Sequence, residues 1–368
     1  LLGESAFWGR VGTLLCATIM AIMLANLYRR CGLSREKSAL ALLLALFSLP
    51  GLLGGFLATP DTLVGMLSIA TVWQGHHAMQ GRPRRWIIAG VFAGMALTAK
   101  YTAVLVAPAL LWTLWRCDRK NLAGPWPWAG LLVAFIVFSP HIAWNAQHDW
   151  ITMRFQLLHG FGGERPTPES QLPTPLPFDP TSPEALAALS VGELSEQEDE
   201  EEKERRPYDE FLRILNQYVG FAGAQLGFWG FFGLLALGFG AQAYLRRRHQ
   251  TGPPTQSDAP MDPISFHLLM GATLTPLLGF GSLSPFFKAE ANWAASYIFF
   301  AAPLLVGWLP QKLGALSFQR TLRWGTIANV SLIAILMWHT HSPLPLGRAH
   351  HDRALAETSG FSDLAALI

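Results

Sequence analysis

Long apolar segments recur along this chain, and short arginine-rich loops separate them. Hydrophobic residues make up 51% of its 368 residues and charged residues only 14%, a balance unlike that of a soluble globular domain. Several segments span about 17–25 residues, enough for a helix to cross a hydrocarbon core of roughly 30 Å. A helix satisfies its own backbone hydrogen bonds in lipid. The sequence therefore predicts an all-α, polytopic membrane helix bundle.

We predict about ten membrane segments. They cover residues 7–28, 38–57, 62–78, two short helices within 86–115, 126–144, 221–245, 265–283, 294–309 and 324–338. If these segments alternate in direction, all arginine-rich short loops face one side, which the positive-inside rule makes cytoplasmic. Polar residues near Asp61, within 141–150 and within 288–293 then lie on the outer face.

The apolar region 86–115 has basic clusters at both ends. Its length of about 30 residues fits two short helices that form a partial hairpin. A single steeply tilted helix is the competing interpretation, but it would leave one basic cluster on the wrong side. The hairpin interpretation places its bend at Lys100 and Tyr101.

The chain divides into four predicted regions. Residues 1–147 form N-terminal membrane helices with an outer acidic loop, and residues 148–216 form an outer loop with a proline-rich and acidic low-complexity insert. Such inserts are typical of solvated spacers. Residues 217–341 form the C-terminal membrane helices, and residues 342–368 form an outer tail.

Charge and cysteine content exclude several classes. A net charge of +2 gives no sign of a nucleic-acid partner. The three cysteines have no paired spacing, so no disulfide framework is predicted. His141, His148 and His159 do not match a compact ligand motif, so we predict no metal site. There is no signal peptide, and the chain does not begin with Met, which leads us to expect a fragment.

Asp61 is the main candidate for chemistry. It follows Pro60 at the junction of two apolar runs and is the only charged residue between Lys37 and Arg82. An isolated charge there is costly unless it functions or reaches water. The plainer interpretation is that Asp61 caps the following helix, because Asp is a favoured N-cap residue.

Lys100 ends an apolar stretch that contains Gly90 and Gly94. Small residues four positions apart allow close helix approach, so we interpret the glycines as packing residues. The ammonium must either reach water along its stem or contact an anion, which is a phosphate or a carboxylate.

A second polar group lies at the outer interface within residues 288–293, where Lys288, Glu290, Asn292 and Trp293 occur together. Trp293 at this level is also expected as a simple membrane-interface anchor. Lys288 is a candidate cation for a phosphate.

Four segments in order resemble one family. They are GFLATPDTL at 55–63, GMALTAKYT at 94–102, PHIAWNAQHDW at 140–150 and EANWA at 290–294. This set resembles the bacterial family 39 membrane glycosyltransferases, which are dolichyl-phosphate-mannose-mannosyltransferase-like and aminoarabinose-transferase-like enzymes of the GT-C fold. The resemblance extends over nearly the whole chain.

The resemblance implies inverting transfer of a sugar from a polyprenyl-phosphate donor to a lipid, polysaccharide or protein acceptor, on the outer face of the cytoplasmic (inner) membrane. It implies that Asp61 is the catalytic base. It assigns substrate or phosphate binding to Lys100, Tyr101, Lys288, Glu290, Asn292, Trp293, His141 and Asn145. No cofactor is firmly implied, and a divalent cation is left open.

The chain departs from the family at its ends. The first helix and first outer loop, with an Asp-Glu type pair, are expected before Leu1, and a soluble outer domain is expected after Ile368. Whether this chain alone is active is therefore left open. A polytopic transporter or flippase is the alternative function, although no internal repeat supports it. A scaffold that keeps the fold without activity is a third hypothesis.

Overall fold

A computed structural model of the chain describes residues 6–56, 59–160, 207–230, 261–285, 291–308 and part of 323–338. These residues are mostly helical and contain no strand. The α-helices with defined bounds are α1 (Ala6–Arg30), α2 (Arg35–Leu46), α3 (Leu49–Phe56), α4 (Pro60–Met79), α5 (Arg85–Ala99), α6 (Val106–Cys117), α7 (Arg119–Ala123), α8 (Pro125–Gln147), α9 (Ile151–Gly160), α10 (Pro207–Phe228), α11 (Pro263–Leu283) and α12 (Ile298–Trp308). Short 3-10 helices occupy Tyr101–Leu105, Ala291–Trp293 and Ala295–Tyr297.

Three helices in the described ranges are long and apolar enough to cross a membrane. They are Val11–Arg30 within α1, Pro125–Gln147 and Pro263–Leu283. Arg85–Ala99, Tyr101–Cys117 and Ala295–Gly307 are apolar but shorter. The all-helical prediction and its membrane character are thus supported. The count of ten segments is not confirmed, and the predicted segments 221–245 and 324–338 lie partly outside the described residues.

Helix α4 lies at the centre of the bundle, with α1, α5, α6 and α11 packed around it. Most of its side chains are buried, including Leu67, Ile69 and Val72. Pro60 fits the first turn because the N–H that it lacks would have no helical partner there. The predicted segment 62–78 is therefore the core of this helix.

The predicted continuous helix over 38–57 is wrong, because the chain forms α2 and α3 with a break at Phe47 and Ser48. Pro50 favours the break, since proline cannot donate a backbone hydrogen bond inside a helix. The Ser48 hydroxyl donates to the carbonyl of Ala45 at 2.6 Å and accepts from the backbone N–H of Gly51 at 3.2 Å. This serine closes one helix and opens the next.

The predicted bend at Lys100 is present. Lys100 has extended backbone angles, φ −162° and ψ 135°, and separates α5 from the 3-10 turn that leads into α6. A Cβ added at Gly75 of α4 would lie 2.6 Å from Leu110 and 3.5 Å from Trp86. The start of α5 and the middle of α6 therefore meet at the same level of α4, as a hairpin requires.

The bundle has two chemically different ends. At one end, which we name the basic end, α4 finishes beside the start of α11, and Nε2 of His76 lies 2.8 Å from the Ser265 hydroxyl. The Cys117 thiol at the end of α6 also contacts the carbonyl of Pro263 at 3.5 Å. The arginines of this end are Arg29, Arg30, Arg35, Arg82, Arg84, Arg85, Arg116 and Arg119. The opposite end, which we name the Asp61 end, contains the start of α4 and the bend at Lys100.

Gly90 and Gly94 are packing residues, as predicted. They lie where α5 crosses α8, and a Cβ at Gly90 would overlap the carbonyl oxygen of Gly130. A Cβ at Gly94 would lie 2.6 Å from the carbonyl oxygen of Ala134. This close approach holds the first half of α8 against α5.

Helix α10 begins earlier than predicted. The sequence predicts a membrane helix from about 221, whereas α10 begins at Pro207 and ends at Phe228. Arg213 of α10 donates to the carbonyl of Pro285, just after the end of α11, at 3.5 Å. The insert at 161–206 lies outside the described residues.

The α5–α8 contact can be tested by Gly90→Ala. The added methyl overlaps backbone that cannot rotate away, so we expect a loss of about 1–3 kcal/mol in stability, seen as a lower melting temperature in detergent. Gly220→Ala in α10 is the control, because a Cβ there meets open space and improves helix propensity by up to about 1 kcal/mol. Equal melting temperatures for the two variants would contradict the proposed contact.

Candidate functional site

Asp61 occupies the first turn of α4, directly after Pro60. The N-cap residue is Thr59, and its side chain makes no capping bond. The interpretation of Asp61 as the N-cap is therefore wrong. Its carboxylate still benefits from the positive end of the helix dipole, and its side chain keeps 38% of its surface exposed.

The carboxylate pairs with Lys100. The Nζ atom of Lys100 lies 2.5 Å from Oδ1 of Asp61, which is the only ion pair within the described ranges. Lys100 follows the last turn of α5, where a cation is favoured by the negative end of that helix dipole. Two helix ends thus bring opposite charges together, and the Lys100 side chain is 22% exposed.

Tyr101 joins the same bend to the end of α8. Its hydroxyl lies 2.6 Å from Nε2 of His141 and 2.6 Å from the hydroxyl of Thr152. The ring of Tyr101 also packs edge-on against those of Phe138 and His141, with centroids 6.2 and 5.5 Å apart. These contacts fix the residue next to Lys100.

Asn145 completes the network and is only 1% exposed. Its amide nitrogen lies 3.0 Å from the carbonyl oxygen of His141. Its amide oxygen accepts from the hydroxyl of Thr152 at 2.5 Å and from the backbone N–H of Thr152 at 3.3 Å. A buried amide with both ends bonded is satisfied within the protein.

Proton counting gives part of this network a direction. The single hydroxyl proton of Thr152 goes to the oxygen of Asn145, so the Tyr101 hydroxyl must donate to Thr152. Nε2 of His141 lies 2.6 Å from the oxygen of Tyr101 and 3.0 Å from the amide nitrogen of Asn145, and the tautomer of His141 decides which of these two bonds it makes. We name these four side chains, Tyr101, His141, Asn145 and Thr152, the neutral network.

A tight turn returns the chain from α8 to the neutral network. Asp149 and Trp150 have φ angles of 52° and 58°, the left-handed region that non-glycine residues rarely occupy. The backbone N–H of Trp150 donates to the carbonyl of Asn145 at 2.8 Å. Backbone strain of this kind persists only where surrounding bonds hold it, and Asn145 supplies those bonds by binding Thr152 across the turn.

The second predicted group is only partly described. Lys288 and Glu290 lie outside the described residues. Asn292 is exposed, and Trp293 packs against Phe280 with ring centroids 5.6 Å apart. The predicted binding role of these residues stays a prediction.

The structure brings together Asp61, Lys100, Tyr101, His141 and Asn145 of the predicted residues, and it adds Thr152, which the sequence did not indicate. Thr152 lies seven positions after Asn145, and only the strained turn brings the two together. The residue types do not predict that turn, since neither Asp149 nor Trp150 is a glycine. Among the described residues, no group of three His, Cys, Asp or Glu side chains could hold a metal ion.

Comparison with known proteins gives one match. The family model described as dolichyl-phosphate-mannose-protein mannosyltransferase matches residues 1–144, the part that contains Asp61, Lys100, Tyr101 and His141. No significant match was found among curated proteins or solved structures. Over these 144 residues the chain is therefore similar to a mannosyltransferase-type family of glycosyltransferases, in keeping with its membrane helices.

Proposed function

We propose that the protein is a membrane glycosyltransferase that moves a sugar from a polyprenyl-phosphate donor to a hydroxyl of a lipid, polysaccharide or protein acceptor. The observation that carries the proposal is the Asp61–Lys100 pair, exposed at one end of an apolar bundle. The match of residues 1–144 to a mannosyltransferase family supports it. We further propose that the sugar carbon is inverted, in the manner of the family 39 enzymes.

Each charge has a distinct task in this reaction. The Asp61 carboxylate takes the proton from the acceptor hydroxyl as its oxygen attacks the anomeric carbon of the sugar. The bond between that carbon and the phosphate oxygen breaks, and the lipid phosphate leaves with the electron pair. A fixed cation stabilises the charge that develops on this leaving group, and we assign that task to Lys100.

The pair implies an exchange on substrate binding. Without substrate, Lys100 donates to the carboxylate at 2.5 Å. A donor phosphate offers the ammonium a stronger anionic partner, so Lys100 moves toward the phosphate and leaves the carboxylate oxygen available to a hydroxyl proton. The base becomes free only when the leaving group is held.

The neutral network has a positioning role in this proposal. Its polar atoms bond to one another, so Tyr101 and Asn145 hold the bend rather than bind the substrate directly. Rigid contacts that support the reacting residues keep them within the narrow geometry that catalysis requires. His141 belongs to the same support in the substrate-free protein.

The location of the pair favours an enzyme over a transporter. Transporter sites usually lie near the bilayer midplane, between broken helices of two repeats. Here the charges lie at the start of α4 and the end of α5, at the Asp61 end of the bundle. We propose that this end faces the outer side of the inner membrane, because the opposite end holds the arginine-rich loops.

Replacement of either charge tests the mechanism. In cells that express the gene, mass spectrometry of envelope glycolipids and glycoproteins first identifies the product that depends on it. We expect Asp61→Asn to lower formation of that product at least about 100-fold, the usual minimum for loss of a general base. Lys100→Met should also abolish transfer, whereas Lys100→Arg should retain part of it because the cation remains. Normal product with Asp61→Asn, at wild-type expression, would exclude Asp61 as the base.

The positioning role is tested by Tyr101→Phe, which removes one hydroxyl from the neutral network. We expect kcat to fall about tenfold with little change in KM, because the bend that carries Lys100 loses its hydrogen bond. Tyr28→Phe is the matched control, since it removes a buried bond to the carbonyl of Phe299 far from the site. Equal kcat values for the two variants would contradict the positioning role.

Cysteine labelling tests the orientation. In a chain without Cys16, Cys31 and Cys117, we expect Asn292→Cys to react with a membrane-impermeant maleimide from outside. Arg82→Cys, in the loop between α4 and α5, should react only after the membrane is permeabilised. The reverse pattern would place the candidate site on the cytoplasmic side and would contradict an acceptor on the outer face.

A further inference from the structure

A recess of about 500 Å³ lies at the basic end of the bundle, between the ends of α4, α6 and α11. Gln80, Arg116, Asp262 and His267 contribute its polar lining. The Asp61–Lys100 pair lies at the other end of α4 and α5, so the recess is not part of the candidate catalytic site. Its lining combines a guanidinium and a carboxylate that do not form an ion pair with each other.

Arg116 supplies the cationic side of the recess, and Arg119, which is not part of the lining, lies against the same tryptophan as Arg116. The guanidinium carbon of Arg116 lies 6.0 Å from the ring centroid of Trp115, and that of Arg119 lies 5.5 Å from it. Arg116 also lies 5.7 Å from the ring of Trp112. In the parts of the chain that the structure describes, neither arginine has a carboxylate partner. Two guanidinium groups held against one tryptophan can bind a phosphate.

The anionic side of the recess is Asp262. Its Oδ1 atom accepts from the backbone N–H of Ser265 at 3.0 Å and from the side-chain amide of Gln80 at 3.3 Å. These bonds fix the carboxylate at the start of α11, where the helix dipole also stabilises it. A fixed carboxylate of this kind can accept hydrogen bonds from an ammonium.

The recess lies at the level expected for lipid headgroups. Trp112 and Trp115 are 44% and 47% exposed on the last turns of α6, and tryptophans at helix ends mark the membrane interface. Leu111 lies four positions before Trp115, on the same face of α6, and is 47% exposed. An apolar strip on α6 therefore lies close in sequence to Arg116, and an acyl chain can lie along it.

We propose that this recess binds the headgroup of an aminophospholipid, with its phosphate at Arg116 and Arg119 and its primary ammonium at Asp262. A phosphate and an ammonium in one headgroup match both charges of the recess. A quaternary ammonium, as in phosphatidylcholine, has no N–H to donate, and a phosphoglycerol headgroup has no cation for Asp262. This site is independent of the proposed glycosyltransferase reaction.

Native mass spectrometry of the purified chain tests the site with one lipid at a time. The lipids are phosphatidylethanolamine, phosphatidylglycerol and phosphatidylcholine with identical acyl chains. We expect the wild type to bind phosphatidylethanolamine about fivefold more tightly than either of the others, the effect of roughly one charge contact near a membrane surface. Arg116→Gln should weaken the binding of phosphatidylethanolamine and of phosphatidylglycerol to the same extent. Asp262→Asn should remove only the preference between those two lipids.

Two controls separate lipid recognition from loss of charge or fold. Arg35→Gln removes one exposed arginine of the basic end outside the recess, and we expect lipid binding to stay at the wild-type level. Asparagine still caps a helix, so Asp262→Asn should keep the wild-type melting temperature.

Several results would overturn the proposal. These are equal wild-type affinity for all three lipids, tighter binding of phosphatidylglycerol than phosphatidylethanolamine, or equal effects of Arg116→Gln and Arg35→Gln. Competition with inorganic phosphate is the last test. If phosphate alone at the same concentration displaces the lipid, the recess recognises a free anion and not an aminophospholipid headgroup.

Discussion

The contact between Asp61 and Lys100 joins two helix ends that would otherwise leave isolated charges in an apolar bundle. Each charge is favoured by the dipole of its own helix, because Asp61 lies in the first turn of α4 and Lys100 follows the last turn of α5. A pair of this kind adds little net stability relative to apolar residues of similar size. The pair at this exposed position therefore contributes little to folding, and we propose that its role is chemical.

The coarse arrangement could be predicted because it depends on patterns of residue type. Apolar length indicated helices, and arginine position indicated that Asp61 and the loop near Arg82 lie at opposite ends. The two basic clusters around 86–115 also predicted the bend at Lys100. These inferences depend only on the rise per residue of a helix and on the energetic cost of a charge in lipid. Both are the same for every protein.

Finer features could not be predicted because they depend on tertiary contacts. The break between α2 and α3 needs Ser48 as a cap on both sides, and a single proline also occurs inside α8, at Pro140, without ending that helix. The start of α10 at Pro207 follows a charged run that resembles a spacer. Thr152 enters the site only because Asp149 and Trp150 adopt left-handed angles, which a bulky residue such as Trp150 rarely does.

The burial and bonding of these side chains divide the site into two functional parts. Asn145 is 1% exposed, and the oxygen and nitrogen of its side-chain amide are hydrogen-bonded within the protein. A ligand could bind it only by breaking these hydrogen bonds, and losing a hydrogen bond costs more for a buried group than for one in water. Asp61 keeps 38% of its side chain exposed and makes its ion pair with a flexible lysine. Only this charged part can exchange partners cheaply. The resemblance predicts substrate binding for Lys100, Tyr101, His141 and Asn145 alike. Hydrogen-bond satisfaction leads us to propose instead that Asp61 and Lys100 carry the chemistry and that the neutral network holds them in place.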